Sequence, residues 1–300
     1  MAEESFIVPF ELRVDFERFS THPSRVFHAM SDLIDGFESF DRTLLYPFSL
    51  RVDPTLVLED IKAGSIRSVL ATVLRSTNDE AIKNLDWKKL IGSYLLDSKY
   101  WLLKHLEDKP EIRTRAELLE ITDKINDLAK GTDILRLPSY KAISSSKILD
   151  VTKYIAKSVE PLTPGDSAQF EAAGQIVEIN TSFIHNKDTE EDLLTSTTNT
   201  FVSEERLKVK KPDYLGNSQW QFRHKKHLIL AFMDDHDWLL QFQSKRVDLE
   251  PGDALHLLLE TKQNLDDDGL IIATHYRVTK VLGVIQSRTE PGDDLFEKWE

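Results

Sequence analysis

From Pro9 to Phe16 apolar and polar side chains alternate, the period of a strand with one face in a core, and a proline is tolerated near the start of such a strand. Beyond Thr21-His22-Pro23-Ser24 the period lengthens. Val26, Phe27, Met30, Leu33, Ile34, Phe37 and Phe40 recur three and four apart, which predicts an amphipathic helix beginning at Pro23 or Ser24. Residues 50–61 and 66–74 return to strand patterning on either side of Ala63-Gly64-Ser65, a turn in which glycine supplies a positive φ.

The segment 79–107 organises the first half of the chain. Ile82, Leu85, Leu90, Ile91, Tyr94, Leu95, Trp101, Leu102 and Leu106 form one broad apolar stripe, wide enough to meet a sheet and other helices together. Asn78 or Thr77 is its expected N-cap, and Gly92 and the Asp86-Trp87 step are its weak points. Thr114-Arg115-Ala116-Glu117 has the form of a capping box, and Gly131 stands where that helix needs a left-handed C-cap. A further helix runs from Ser145 or Ser146 to Val159. The order β-α-β-β followed by helices predicts a small sheet covered on one face.

At Pro161-Leu162-Thr163-Pro164-Gly165-Asp166-Ser167 the composition shifts and the helical period gives way to alternation. Strands are expected over 174–183, 206–211, 219–223, 227–233, 254–262 and 270–285, with a helical turn at 237–242 and a polar loop over 187–203. The expected fold class is α+β: a helix-covered sheet domain over 1–160, a linker at 161–168, a β-rich domain over 169–290 forming a small curled sheet or partly open barrel, and a tail at 291–300. Pro-Gly-Asp recurs at 251–253 and 291–293 with unrelated flanks, which is turn chemistry rather than a repeat.

Composition narrows the chemistry. The chain has no cysteine, so disulfides, thiolate nucleophiles and Cys-ligated zinc are excluded. The N-terminus lacks the pattern of a leader and no apolar run reaches the roughly 18 residues of a membrane span, so a cytoplasmic protein without membrane contact is expected. The net charge of −13 is uneven. Residues 1–160 hold 23 Lys and Arg against 26 Asp and Glu, whereas 161–300 hold 15 against 25. That acidity argues against nucleic acid as the main ligand, because gripping phosphates takes aligned cations, and it favours a protein partner.

One cluster of ligand-type residues stands out: His224, His227, Asp234, Asp235, His236 and Asp237 fall within fourteen positions. If the histidines flank a hairpin tip, the strand from Leu228 to Met233 carries the chain roughly 20 Å away before the aspartates, at about 3.3 Å per residue. A basic tip and an aspartate-capped helix start are therefore expected in place of a metal site, and no cofactor is expected. Ser144 and Lys147 have a serine-acylase spacing without its companion motifs, at a position that wants an N-cap. Trp220, Phe222, Phe232, Trp238 and Phe242 fit a core better than a stacking surface, while Trp299 in the tail is a candidate docking element.

The segments RVFHAMSDLIDGFESFDRTL at 25–44, VLEDIKAGSIRSVL at 57–70 and LDWKKLIGSYLLDSKY at 85–100 resemble uncharacterised bacterial proteins, some found among phage-defence genes. The resemblance implies a defence-related context and carries no catalytic residue. The resulting expectation is a noncatalytic interaction or accessory protein that binds a protein partner through its acidic second half or an uncovered strand edge. The alternatives are a metal-dependent hydrolase or nuclease using the His/Asp cluster, and a nucleotide or small-ligand sensor with an inter-domain cleft.

Overall fold

The computed structural model describes residues 5–16, 22–46, 52–62, 66–76, 87–130 and 142–287, in two compact units that divide between Leu194 and Thr195. Ala63-Gly64-Ser65, Thr77, Asn78, Gly131 and Trp299 lie outside the described residues.

The first unit is α+β. Its strands β1 (Ser5–Asp15), β2 (Val52–Lys62), β3 (Ile66–Ser76), β4 (Ser167–Ala172) and β5 (Gln175–Ile179) form one antiparallel sheet in the order β2-β3-β1-β4-β5. Alternation in β1 has the expected effect: Val8, Phe10, Leu12 and Val14 are buried, with the residues between them facing out. Helices α1 (Ser24–Leu45) and α2 (Trp87–Leu106) pack on the buried face, and α3 (Arg115–Lys130) and α4 (Ser145–Val159) pack on those helices. Phe10, Phe37 and Phe170 tie sheet to helix, with ring centroids 5.5–5.9 Å apart. The capping box forms, with the Glu117 amide donating to Thr114 Oγ1 at 3.2 Å, but the Glu117 carboxylate accepts from the Arg113 amide. Trp101 leaves the expected stripe: it is half-buried and stacks on His105 at 4.8 Å.

The expected boundary is displaced. Residues 161–168 are no linker, because β4 pairs with β1 from Ser167↔Asp15 to Glu171↔Glu11, and β5 pairs with β4. The change of period at 161–167 marks a return from helices to the same sheet, with Ala168, Phe170 and Ala172 completing its buried face. A 3-10 turn (Lys187–Thr189) and a short helix α5 (Glu190–Leu194) close the unit. The expected loop over 187–203 is thus partly helical, and its last residues begin a strand.

The second unit is a closed five-stranded barrel of β6 (Thr197–Lys211), β7 (Trp220–His224), β8 (His227–Met233), β9 (Ala254–Leu265) and β10 (Ile271–Ile285), in the order β10-β8-β7-β6-β9. Only the β8–β10 pair is parallel; the other strand pairs are antiparallel. Closure comes from the long strands: β10 pairs with β9 along its length, and three register irregularities let it bend round to β8. Helix α6 (His236–Gln243) joins β8 to β9 and buries Leu239 and Phe242 in the barrel core, where Phe242 meets Trp220 at 4.9 Å.

Thr163-Pro-Gly-Asp166 and Glu250-Pro-Gly-Asp253 are the same device in different units. Each glycine has φ +106°, and each aspartate accepts from the amide three residues before it, at 2.9 and 2.8 Å.

Candidate binding face of the barrel

The His/Asp cluster is divided between the two ends of β8. His224 and His227 are cross-strand partners at the β7–β8 tip, and His224 Nε2 lies 3.2 Å from Glu205 on β6. At the far end of β8, Asp234 accepts from Arg277 at 2.9 Å. Asp235 is the N-cap of α6, accepting from Trp238 N at 3.3 Å, and it also accepts from Val281 N at 3.0 Å, fastening the helix to β10. Burial opposes its ionised form, but those two amides and Lys280 together hold the Asp235 carboxyl below the usual range. His236 and Asp237 open the helix. Among the described residues no three His, Asp or Glu side chains converge as metal ligands.

The strand register resolves the outer surface of the barrel. Inward positions carry Trp220, Phe222, Ile229, Ala231 and Met233, all buried. Between them β8 turns Leu228, Leu230 and Phe232 outward, and these remain 61, 49 and 39 % exposed. Three such residues along one strand form a continuous apolar strip, which singly exposed residues elsewhere do not. On one side of this strip β7 sets Arg223 opposite Leu228 and Gln221 opposite Leu230. On the other side Arg277 of β10 is in register with Phe232, its guanidinium 5.7 Å from the ring centroid, and His275 precedes it on the same face. One strand further round, Lys208 and Lys211 of β6 stand opposite Arg223 and Gln221, and Lys262 of β9 opposite His275. At the α6 end of this face Asp234 and Glu260 neighbour Arg277.

The charge argument from sequence changes accordingly. Residues 195–287 carry 12 Lys and Arg against 13 Asp and Glu, so the barrel is close to neutral. The acidity of the second half sits in 161–194, which belong to the first unit, and in 288–300. Within the barrel many carboxylates serve turns: Asp213 accepts from Leu215, Gly216 and Ser218 amides, Asp253 from Glu250 and Ser287, and Asp266 from Asp268 and Leu270. Cations are left on the strand faces.

The first unit holds a polar group that sequence reading missed. Lys99 on α2 and Asp41 on α1 form an ion pair whose side chains are 0 and 1 % exposed. Thr72 Oγ1 of β3 donates to the same carboxylate at 2.7 Å, and the Phe10 ring lies 4.9 Å from the ammonium. Burial lowers the Lys99 pKa, with Asp41 opposing the shift. The signal was present: Lys99 stands four after Leu95 and three before Leu102, inside the apolar stripe. No substrate could reach it, so its role is structural. Between α1 and α4 a dent lined by Asp32, Gly36, Phe37 and Tyr154 has about 10 Å³ of room, that of one water. Ser144 occupies the N-cap position of α4, its Oγ meeting Ser146 rather than Lys147.

No helix among the described residues is long and apolar enough to cross a membrane. Comparisons with protein-family models, with curated proteins and with solved structures find nothing that matches the chain.

Proposed function

We propose that the chain is a noncatalytic binding protein whose barrel takes single-stranded nucleic acid on the β7–β8–β10 face. The observation that carries this is the apolar strip Leu228-Leu230-Phe232 flanked by Arg223 and Arg277. Strands lie about 4.8 Å apart, so the two arginine-bearing strands are separated by about 10 Å with an apolar floor between. Bases laid on that floor desolvate it, and a ring stacked on Phe232 or on the Arg277 guanidinium gains about 1–3 kcal/mol. A duplex, charged along its whole exterior, has little to offer two exposed leucines. Five-stranded Greek-key barrels commonly hold oligonucleotides on their second and third strands, which here are β7 and β8; that is analogy at the level of fold. The defence-related context rests on the resemblance of the N-terminal segments alone.

A protein segment is the second reading, favoured by the leucines. The test is fluorescence anisotropy with a labelled oligothymidylate, its duplex and a poly-glutamate peptide. The proposal predicts preference for the single strand. Phe232→Ala weakens binding about tenfold, and Arg223→Gln flattens the salt dependence by about 0.7 in log–log slope. Equal binding of all three probes, or binding of the peptide alone, overturns it.

A further inference from the structure

We infer that the N-terminal half of β6 is a dimerisation edge, pairing antiparallel with the same strand of a second copy. From Thr197 to Lys208 this strand is hydrogen-bonded to β9 in unbroken register, and β7 joins its other side only from Lys208 onward. Residues 197–207 therefore present a row of backbone donors and acceptors with no strand on that side among the described residues. Such an edge is normally protected by Pro, Lys, a bulge or an inward charge. Here the sequence Thr197-Thr-Asn-Thr-Phe-Val-Ser203 has none of these, every residue in it is at least partly exposed, and Phe201 and Val202 are 48 and 56 % exposed.

The symmetry of the strand selects the occupant. Two copies related by a twofold axis normal to the sheet pair residues whose numbers sum to an even value, because directly opposed side chains share a face. Centring the axis on Phe201 sets Phe201 against itself, Thr200 against Val202, Asn199 against Ser203 and Thr198 against Glu204. It gives an aromatic cross-strand pair and opposes no like charges. Centring the axis on Glu204 or Glu205 would oppose a glutamate to itself, and moving it further requires the Lys208 edge that β7 already holds. The dimer so formed carries two copies of the barrel face.

The absence of cysteine makes the test direct. In the full chain, Phe201→Cys places two thiols on a directly opposed pair, about 5 Å apart at Cα, within disulfide reach. Thr200→Cys places them roughly 8 Å apart, beyond it. Mild oxidation is expected to crosslink the first variant and not the second. Sedimentation of the wild type is expected to give a dimer at micromolar concentration, and Asn199→Lys with Ser203→Lys, which opposes lysine to lysine twice, a monomer. A monomeric wild type, a dimer that survives the double lysine variant, or crosslinking through both cysteines overturns the inference. None of these outcomes depends on what the barrel face binds.

Discussion

Replacing Lys99 by Met removes the cation paired with a carboxylate that is 1 % exposed. Asp41 then retains the Thr72 hydroxyl and loses its counter-charge, inside a layer between β1, β3 and two helices. Breaking a buried pair from one side costs about 3–5 kcal/mol, and Asp41→Leu alone costs a similar amount by stranding the ammonium against Phe10. The double variant behaves differently. With both charges gone the residual cost is an orphaned Thr72 hydroxyl and some misfit, about 1–2 kcal/mol, so the coupling between the two sites is several kcal/mol. Urea unfolding followed by helical circular dichroism reads this, because α1 to α4 all lie in the first unit and α6 contributes little.

The pair also predicts a pH slope. Lys99 has a folded pKa below its ordinary 10.5, so between those two values the unfolded state binds more protons than the folded one. Its contribution to stability therefore rises with pH across that window. The double variant lacks that slope, and the difference between the two pH profiles isolates it. Single variants that cost under about 1 kcal/mol, a double variant that costs the sum of the singles, or identical profiles would refute the reasoning.

Arg25 grips Asp166 through two nitrogens at 3.0 and 2.9 Å, both side chains being nearly buried, so Arg25→Met lowers the urea midpoint of the first unit by the equivalent of about 3 kcal/mol. Asp235→Ala removes the α6 cap and the Val281 bond, costing the barrel about 2 kcal/mol; the Asp235 contribution is present above pH 3.8 and lost as pH falls through its lowered folded value, which acid titration of wild type against variant reads. Gly252→Ala forces a Cβ into φ +106° and 3.0 Å from Ser287 Oγ, lowering the melting temperature of the barrel by the equivalent of at least 1 kcal/mol. His224→Ala together with His227→Ala leaves thermal stability unresponsive to added zinc or manganese, as in the wild type; a metal-dependent shift in the wild type alone would revive a site at the β7–β8 tip.

Periodicity made the elements legible, and the physics that joins distant elements was out of its reach. Alternation in β1 and the three-and-four spacing of α1 predicted which faces would be buried, since both depend on neighbours in sequence, except that Phe27 of the α1 stripe is 63 % exposed. The membership of β4 depended on pairing between Ser167 and Asp15, residues that no local pattern connects. The same holds for Asp41 and Lys99, whose burial on facing helices looks from sequence like two ordinary charges. For the candidate face, the residues were visible and their sidedness was not: Phe232 was assigned to the core with Trp220 and Phe222, yet in β8 it alternates with Ala231 and Met233 and turns outward. Net charge made the second half look acidic because it was averaged across a boundary that tertiary pairing moved. The separation of His224 and His227 from Asp234 to Asp237 follows from the length of β8, a local quantity that the sequence carries.

The proposed ligand lands on β8. Hydroxyl-radical footprinting of the full chain, with and without a saturating oligothymidylate, measures the oxidation of each exposed apolar side chain. The account predicts that Leu228, Leu230 and Phe232 become protected while Ile7 and Ile176, exposed on the sheet of the first unit, react as before. Unchanged oxidation of the three β8 residues under conditions where the oligonucleotide is bound would contradict it.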